Sequence, residues 1–214
     1  MSILRHFCAV ILDFDGVIVD SETLQARAWE TLARENGYEN IRVTASRIAG
    51  RLDSEIAREL FGASADIHPL IQRKVAIQIE MEQRGELRVI PGIADFLQTV
   101  SRTHKLAVCS NSHEEHILNV LRTQQLERFF SAVVGLGPHR RPKPAPDLYN
   151  LTLKRLGVSA QEACAIEDSE PGLLAARQAG LFTIQLVLDG TLPSREANVH
   201  VSSYSELVNE GELA

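Results

Sequence analysis

From residue 87 onward, short apolar runs alternate with longer amphipathic stretches, and this alternation constrains the fold more than any other feature of the chain. Residues 106–109, 132–134, 163–166 and 182–188 read as strands. Between them, residues 92–102, 113–125, 146–156 and 171–179 carry helical spacing, several with a proline near the start and a glycine just past the end. Strand, helix, strand in repetition means a parallel sheet covered on both faces. From about Glu22 to Arg84 the rhythm breaks: residues 23–35 and 67–82 are long helical patterns, with no convincing buried strand nearby. The expectation is therefore an α/β protein with a doubly wound, Rossmann-like parallel-sheet core, residues 1–20 and 85–214. A helical domain is inserted at residues 21–84, and the chain returns near Pro91-Gly92.

The first strand ends abruptly. An apolar run through Val10, Ile11 and Leu12 gives way to Asp13 and Asp15, one residue apart. Residues two apart on an extended chain point to the same side, so two carboxylates would stand within a few ångströms of each other. Such a pair repels itself and needs a cation, a shared proton or a lysine. Gly16 follows at once and allows the backbone a tight turn. A strand end with two solvated acids and a glycine turn is the plain alternative, and the rest of the chain decides between them.

Apolar residues make up 44% of the 214 residues and charged residues 23%, ordinary values for a globular protein. A formal net charge of −6 argues against nucleic acid or an anionic membrane as partner, since both select basic surfaces. Cys8, Cys109 and Cys164 lie in apolar strand-like runs without CxxC spacing and are expected to be buried, reduced thiols. No signal-peptide pattern and no apolar run of roughly 20 residues is present, so the expected location is cytoplasmic. With no long exposed apolar stripe evident, the expected state is a monomer.

In an open parallel sheet the ligand site lies at the carboxyl ends of the strands. The polar residues that follow the predicted strands are Asp13 and Asp15, then Ser110, Asn111 and Ser112, then Lys143 in a proline-rich loop, then Glu167, Asp168 and Ser169. Acid, hydroxyl, ammonium and acid together suit phosphoryl transfer, which needs a nucleophile, a group to manage the leaving-group proton and positive charge for the phosphoryl oxygens. Asp13 fits the nucleophile and Asp15 the general acid and then base. Ser110 offers a hydroxyl to a phosphoryl oxygen, and Lys143 a cation that also holds Asp13 ionised. Glu167 and Asp168, with Asp13 and the Asp15 carbonyl, form a hard-oxygen set suited to Mg²⁺.

Asp13-Phe14-Asp15-Gly16-Val17, Ser110-Asn111, Lys143-Pro144-Ala145-Pro146-Asp147 and Ile166-Glu167-Asp168-Ser169 resemble, in order, the four motifs of the haloacid dehalogenase-like hydrolases. The resemblance is greatest to the branch with a helical cap after the first motif, which contains β-phosphoglucomutase and sugar-phosphate phosphatases. It implies a mobile cap, Mg²⁺ dependence and a covalent aspartyl phosphate. It also implies a small phosphomonoester as substrate, either a sugar phosphate or a phosphoglycolate-like acid. Family members often place a glycine and a basic residue in a cap loop, which makes Gly50 and Arg51 substrate-binding candidates together with Asn111. Gln25 stands where the β-phosphoglucomutases carry a histidine, which favours hydrolysis over a mutase reaction.

Each residue also has a plainer reading. Ser110 fits a helix N-cap, Lys143 a solvated loop lysine, and Glu167 and Asp168 the acidic start of the next helix. Arg51 equally fits a solvated helix start. His113 and His116 are three apart and are expected on an exposed helix face. The run His139-Arg140-Arg141 fits a solvated loop or a source of positive potential near the site.

Overall fold

A computed structural model describes residues 3–48, 51–188 and 192–208. Strand β1 (Ala9–Leu12) is followed by a run of helices: α1 (Ser21–Glu35), α2 (Ala45–Ile48), α3 (Asp53–Phe61), α4 (Ile67–Gln83) and α5 (Ile93–Val100). Strands and helices then alternate as β2 (Lys105–His113), α6 (Glu114–Thr123), β3 (Ala132–Leu136), α7 (Asp147–Leu156), β4 (Ala163–Glu167), α8 (Glu170–Gln178), β5 (Phe182–Leu186) and β6 (Val199–Val201). The six strands form one sheet in the order β3-β2-β1-β4-β5-β6, with every pairing parallel. This is the α/β doubly wound architecture expected from the alternation, with a helical region between β1 and β2.

β1 sits in the middle of the sheet, and all four of its residues are buried. Its neighbours are β2 on one side and β4 on the other, so the chain reverses its winding direction there, and the crevice outside the strand ends opens at that point. Leu12 pairs with Val108 and with Ile166, and the Asp13 N–H donates to the Ile166 carbonyl at 2.9 Å. Asp13, Cys109 and Glu167 therefore stand side by side where β1 ends.

Two strands depart from the sequence reading. β2 runs on through Ser110, Asn111 and Ser112 to His113, with its register against β3 shifting between Cys109 and His113. Along this irregular polar segment Ser110 is buried, whereas Asn111 and His113 are exposed. β6 is three residues long with an exposed histidine at its centre, too short for a period to register. Cys109 and Cys164 are buried free thiols, but Cys8 is exposed, a correction to the expected burial. It precedes the first residue of β1 at the amino edge of the sheet, where its backbone still bonds to Glu162 and Lys105.

The chain divides into two compact units, one of residues Met1–Val19 with Val89–Ala214 and one of residues Asp20–Arg88. In the first, the sheet packs on α7 and α8 through Ile11, Ala107, Cys109, Leu148, Tyr149, Leu153, Ala165 and Ala176. In the second, α1 and α3 pack against α4. The Asp20 carboxylate caps α1 by accepting from the Thr23 N–H at 3.1 Å. Lys74 of α4 is buried there, donates to Asp53 Oδ1 at 3.2 Å and to Gln25 Oε1 at 3.3 Å, and lies over the Trp29 ring. Among the described residues no helix is long and apolar enough to cross a membrane.

Candidate active site

The sheet unit gathers Asp13, Asp15, Ser110, Lys143, Glu167 and Asp168 at the carboxyl edge of the central strands. Lys143 is the hub. Its ammonium, 3% exposed, donates to Asp13 Oδ1 at 2.6 Å, to Glu167 Oε1 at 2.5 Å and to the Cys109 carbonyl at 2.7 Å. An ammonium has three protons, and these contacts use all of them. Its plain reading as a solvated loop lysine is thus replaced by a buried, fully engaged cation. The Asn111 carboxamide carbonyl accepts from the Lys143 backbone N–H at 2.8 Å, tying the loop after β3 to the end of β2.

Burial opposes the charge on Lys143, but Asp13, Glu167 and Cys109 more than offset it, so its pKa is raised and it stays an ammonium. Asp13 is raised well above the ordinary carboxylate value, first by burial, then by Glu167 against the opposing pull of Lys143, and further by Asp168 and Asp15. One lysine does not balance this much acid. Carboxylate oxygens of Asp13, Glu167 and Asp168 lie within 4.8 Å of one another. An all-oxygen set with surplus negative charge and a raised aspartate pKa fits a hard divalent cation such as Mg²⁺.

Two glycines let the acids approach. Gly16 adopts φ +72°, and a Cβ there would lie 2.0 Å from Asp168 Oδ2. A Cβ on Gly172 would lie 2.1 Å from the Glu167 carboxylate, so the first turn of α8 can rest against that acid only without a side chain. Ser169 serves two purposes: its hydroxyl caps α8 by accepting from the Gly172 N–H at 3.2 Å and donates to Glu167 Oε2 at 3.2 Å.

Asp15 is less buried than Asp13 and faces the end of β2. Ser112 Oγ donates to Asp15 Oδ2 at 2.7 Å, whereas Ser110 Oγ stands 3.5 Å from the same oxygen and accepts from the Ser112 N–H at 3.0 Å. Neither Ser112 nor Tyr149 was assigned a role from sequence. Tyr149 is buried and donates to Glu167 Oε1 at 2.7 Å. The available signal was a tyrosine on the sheet-facing side of α7, where a buried hydroxyl needs a partner.

Arg51 belongs to the helical unit, donates to the Arg47 carbonyl at 3.1 Å and pairs with Glu59 at 2.7 Å. Gly50 lies outside the described residues. Arg140 pairs with Glu114, and Arg141 with Asp147 at 2.8 Å, so both loop arginines are neutralised locally. His113 is exposed, and His116 packs edge-on against Phe14.

Comparison with known proteins agrees with this geometry. The chain is 31% identical over 179 residues to a phosphorylated carbohydrates phosphatase of Thermotoga maritima, covering 82% of this chain and 83% of that one. It is 29% identical over 186 residues to the β-phosphoglucomutase of Bacillus subtilis, covering 82% and 81% of the two chains. Its fold matches the crystal structure of a CbbY variant from Rhodobacter sphaeroides in complex with xylulose 1,5-bisphosphate. That match has a TM-score of 0.73 and 26% identity, over 97% of this chain and 99% of that one. Residues 10–186 match the model of the haloacid dehalogenase-like hydrolases, a span that holds every acid and the lysine of the site; the chain belongs to that family.

Proposed function

We propose that this protein is a Mg²⁺-dependent phosphatase that hydrolyses a small phosphomonoester, a sugar phosphate or phosphoglycolate-like acid, through an aspartyl phosphate on Asp13. The observation that carries the reading is the buried ammonium of Lys143 shared between Asp13 and Glu167 beside Asp168. Lys143 occupies Asp13 Oδ1, which leaves Oδ2 as the attacking oxygen. Attack forms the Asp13–phosphorus bond and breaks the bond to the substrate alcohol, whose oxygen takes a proton from Asp15. Asp15 then removes a proton from water as that water attacks phosphorus, which releases inorganic phosphate and restores the Asp13 carboxylate. Ser110 supplies a hydroxyl to a phosphoryl oxygen.

Asp13, the Asp15 carbonyl, Glu167 and Asp168 would hold the Mg²⁺, which neutralises phosphoryl charge when bound. Uncatalysed phosphomonoester hydrolysis is slow enough that the site must supply about 20 kcal/mol, and positioned charge is the means available here. In this reading Asn111 sets the position of Lys143, and the helical unit acts as a cap that brings Gly50 and Arg51 to the substrate.

The relatives named above support a phosphorylated sugar as the substrate class. The mutase relative keeps a second reaction in view, return of the phosphoryl group to the sugar. Gln25 argues against it: a carboxamide cannot exchange a proton near neutrality, and its carbonyl is engaged by Lys74. Phosphate release from hexose phosphates, phosphogluconate, phosphoglycolate and β-glucose 1-phosphate, with Mg²⁺ and with EDTA, separates the readings. Metal-dependent release is expected; conversion of β-glucose 1-phosphate to glucose 6-phosphate without release would overturn the phosphatase in favour of the mutase.

A further inference from the structure

We infer that Tyr149 is a positioning residue of the metal centre: with Lys143 it occupies one oxygen of Glu167, so that this carboxylate meets a metal through its other oxygen alone. The inference rests on the proposed Mg²⁺ site and deepens it. Glu167 is fully buried, and its Oε1 accepts from Lys143 Nζ at 2.5 Å and from Tyr149 Oη at 2.7 Å. A carboxylate oxygen has two in-plane lone pairs, and these donors fill both. Among the described residues, Oε2 carries only the longer hydrogen bond from Ser169, at 3.2 Å. The Gly172 backbone rests against the carboxylate and holds it in place, since a Cβ there would stand 2.1 Å from Oε1 and 2.2 Å from Oε2.

Tyr149 also correlates the two charged partners. Its ring face lies 5.1 Å from the Lys143 ammonium, so one side chain sets the position of both the cation and the acid. Burial and the surrounding acids raise the phenol pKa well above 10, which keeps the hydroxyl a donor. The consequence is selectivity. Mg²⁺ is small and demands near-octahedral geometry, whereas Ca²⁺ accepts bidentate carboxylates and irregular shells. A Glu167 locked to one available oxygen favours the smaller ion, and a Glu167 free to turn would let Ca²⁺ in.

The test is Tyr149→Phe, which keeps the ring and removes only the hydroxyl. Binding is read on metal-stripped protein with Mn²⁺, whose free ion is counted by its EPR signal, and Mg²⁺ and Ca²⁺ are then ranked by competition. Tyr149→Phe is expected to weaken Mg²⁺ binding about 10- to 100-fold, the range typical for loss of a group that orients a metal ligand. The Ca²⁺-to-Mg²⁺ affinity ratio should rise at the same time. The rise in melting temperature on adding Mg²⁺, taken relative to each variant's own metal-free melt, gives the same comparison should the variant be less stable. Asp168→Asn serves as the control. If Asp168→Asn loses Mn²⁺ binding and Tyr149→Phe binds all three ions as the parent does, the inference is overturned and the metal site stands. If Asp168→Asn itself binds as the parent does, the metal-site reading fails and takes the inference with it.

Discussion

Asp13 is a burden to the fold and the centre of the proposed chemistry. Its folded pKa is raised above the unfolded value of 3.8, so between the two the folded chain binds more protons than the unfolded one. Stability of the metal-free protein should therefore fall as pH rises through that window. Asp13→Asn removes the charge and should abolish turnover. In EDTA near neutral pH it should stabilise the protein by at least about 1 kcal/mol, or about 2–4 °C in a chain of this size. Thermal melts across pH in EDTA check this; a variant less stable than the parent at neutral pH would contradict the charge argument. Gly172→Ala should do the opposite, pressing a methyl group onto Glu167 and costing about 2–4 kcal/mol, readable by urea denaturation.

The acids were legible in the sequence because each stands at or just past the end of a strand, where position along the chain translates into position in the site, and Lys143 because it stands in the loop between β3 and the next helix. Tyr149 was not legible. It meets Glu167 across 18 residues, through the packing of α7 on the sheet, and no local pattern encodes that meeting. Cys8 failed for a related reason, since burial depends on neighbouring strands that a single run does not specify.

Helices and strands were legible where their periods are long. α1 and α4 emerge from their apolar spacing, and α8 from the proline near its start, whereas the continuation of β2 through Ser110 to Ser112 depends on pairing with β3. The Asp20 cap of α1 is local and testable: Asp20→Ala should cost about 1 kcal/mol in thermal stability. Lys74, on α4, offers a second test. Burial lowers its pKa from 10.5 despite the nearby Asp53, so between the folded value and 10.5 the unfolded chain binds more protons and stability rises with pH. Lys74→Met should remove that alkaline rise and, because Asp53 keeps partial solvent access, should be neutral to about 2 kcal/mol stabilising at neutral pH. Paired pH–stability curves decide; an alkaline rise retained in the variant would assign it to another group.

For the molecule as a whole, the doubly wound parallel sheet follows from the alternation of elements, and the site follows from the order of its strands. β1 at the switch point places Asp13 beside the end of β4, where Lys143 bridges it to Glu167. A cation bound there should stabilise the folded state alone, by about 2.7 kcal/mol at a concentration 100 times its Kd, and EDTA should reverse the gain. The central claim is the covalent step on Asp13. Acid quenching during turnover of a phosphomonoester that the protein hydrolyses, followed by mass spectrometry of the peptides, reads it directly. A phosphoryl group on the peptide that carries Asp13, absent from Asp13→Asn and from protein held in EDTA, is the expected result; phosphate released in a steady state with that peptide unmodified, or with the label on another residue, would contradict it.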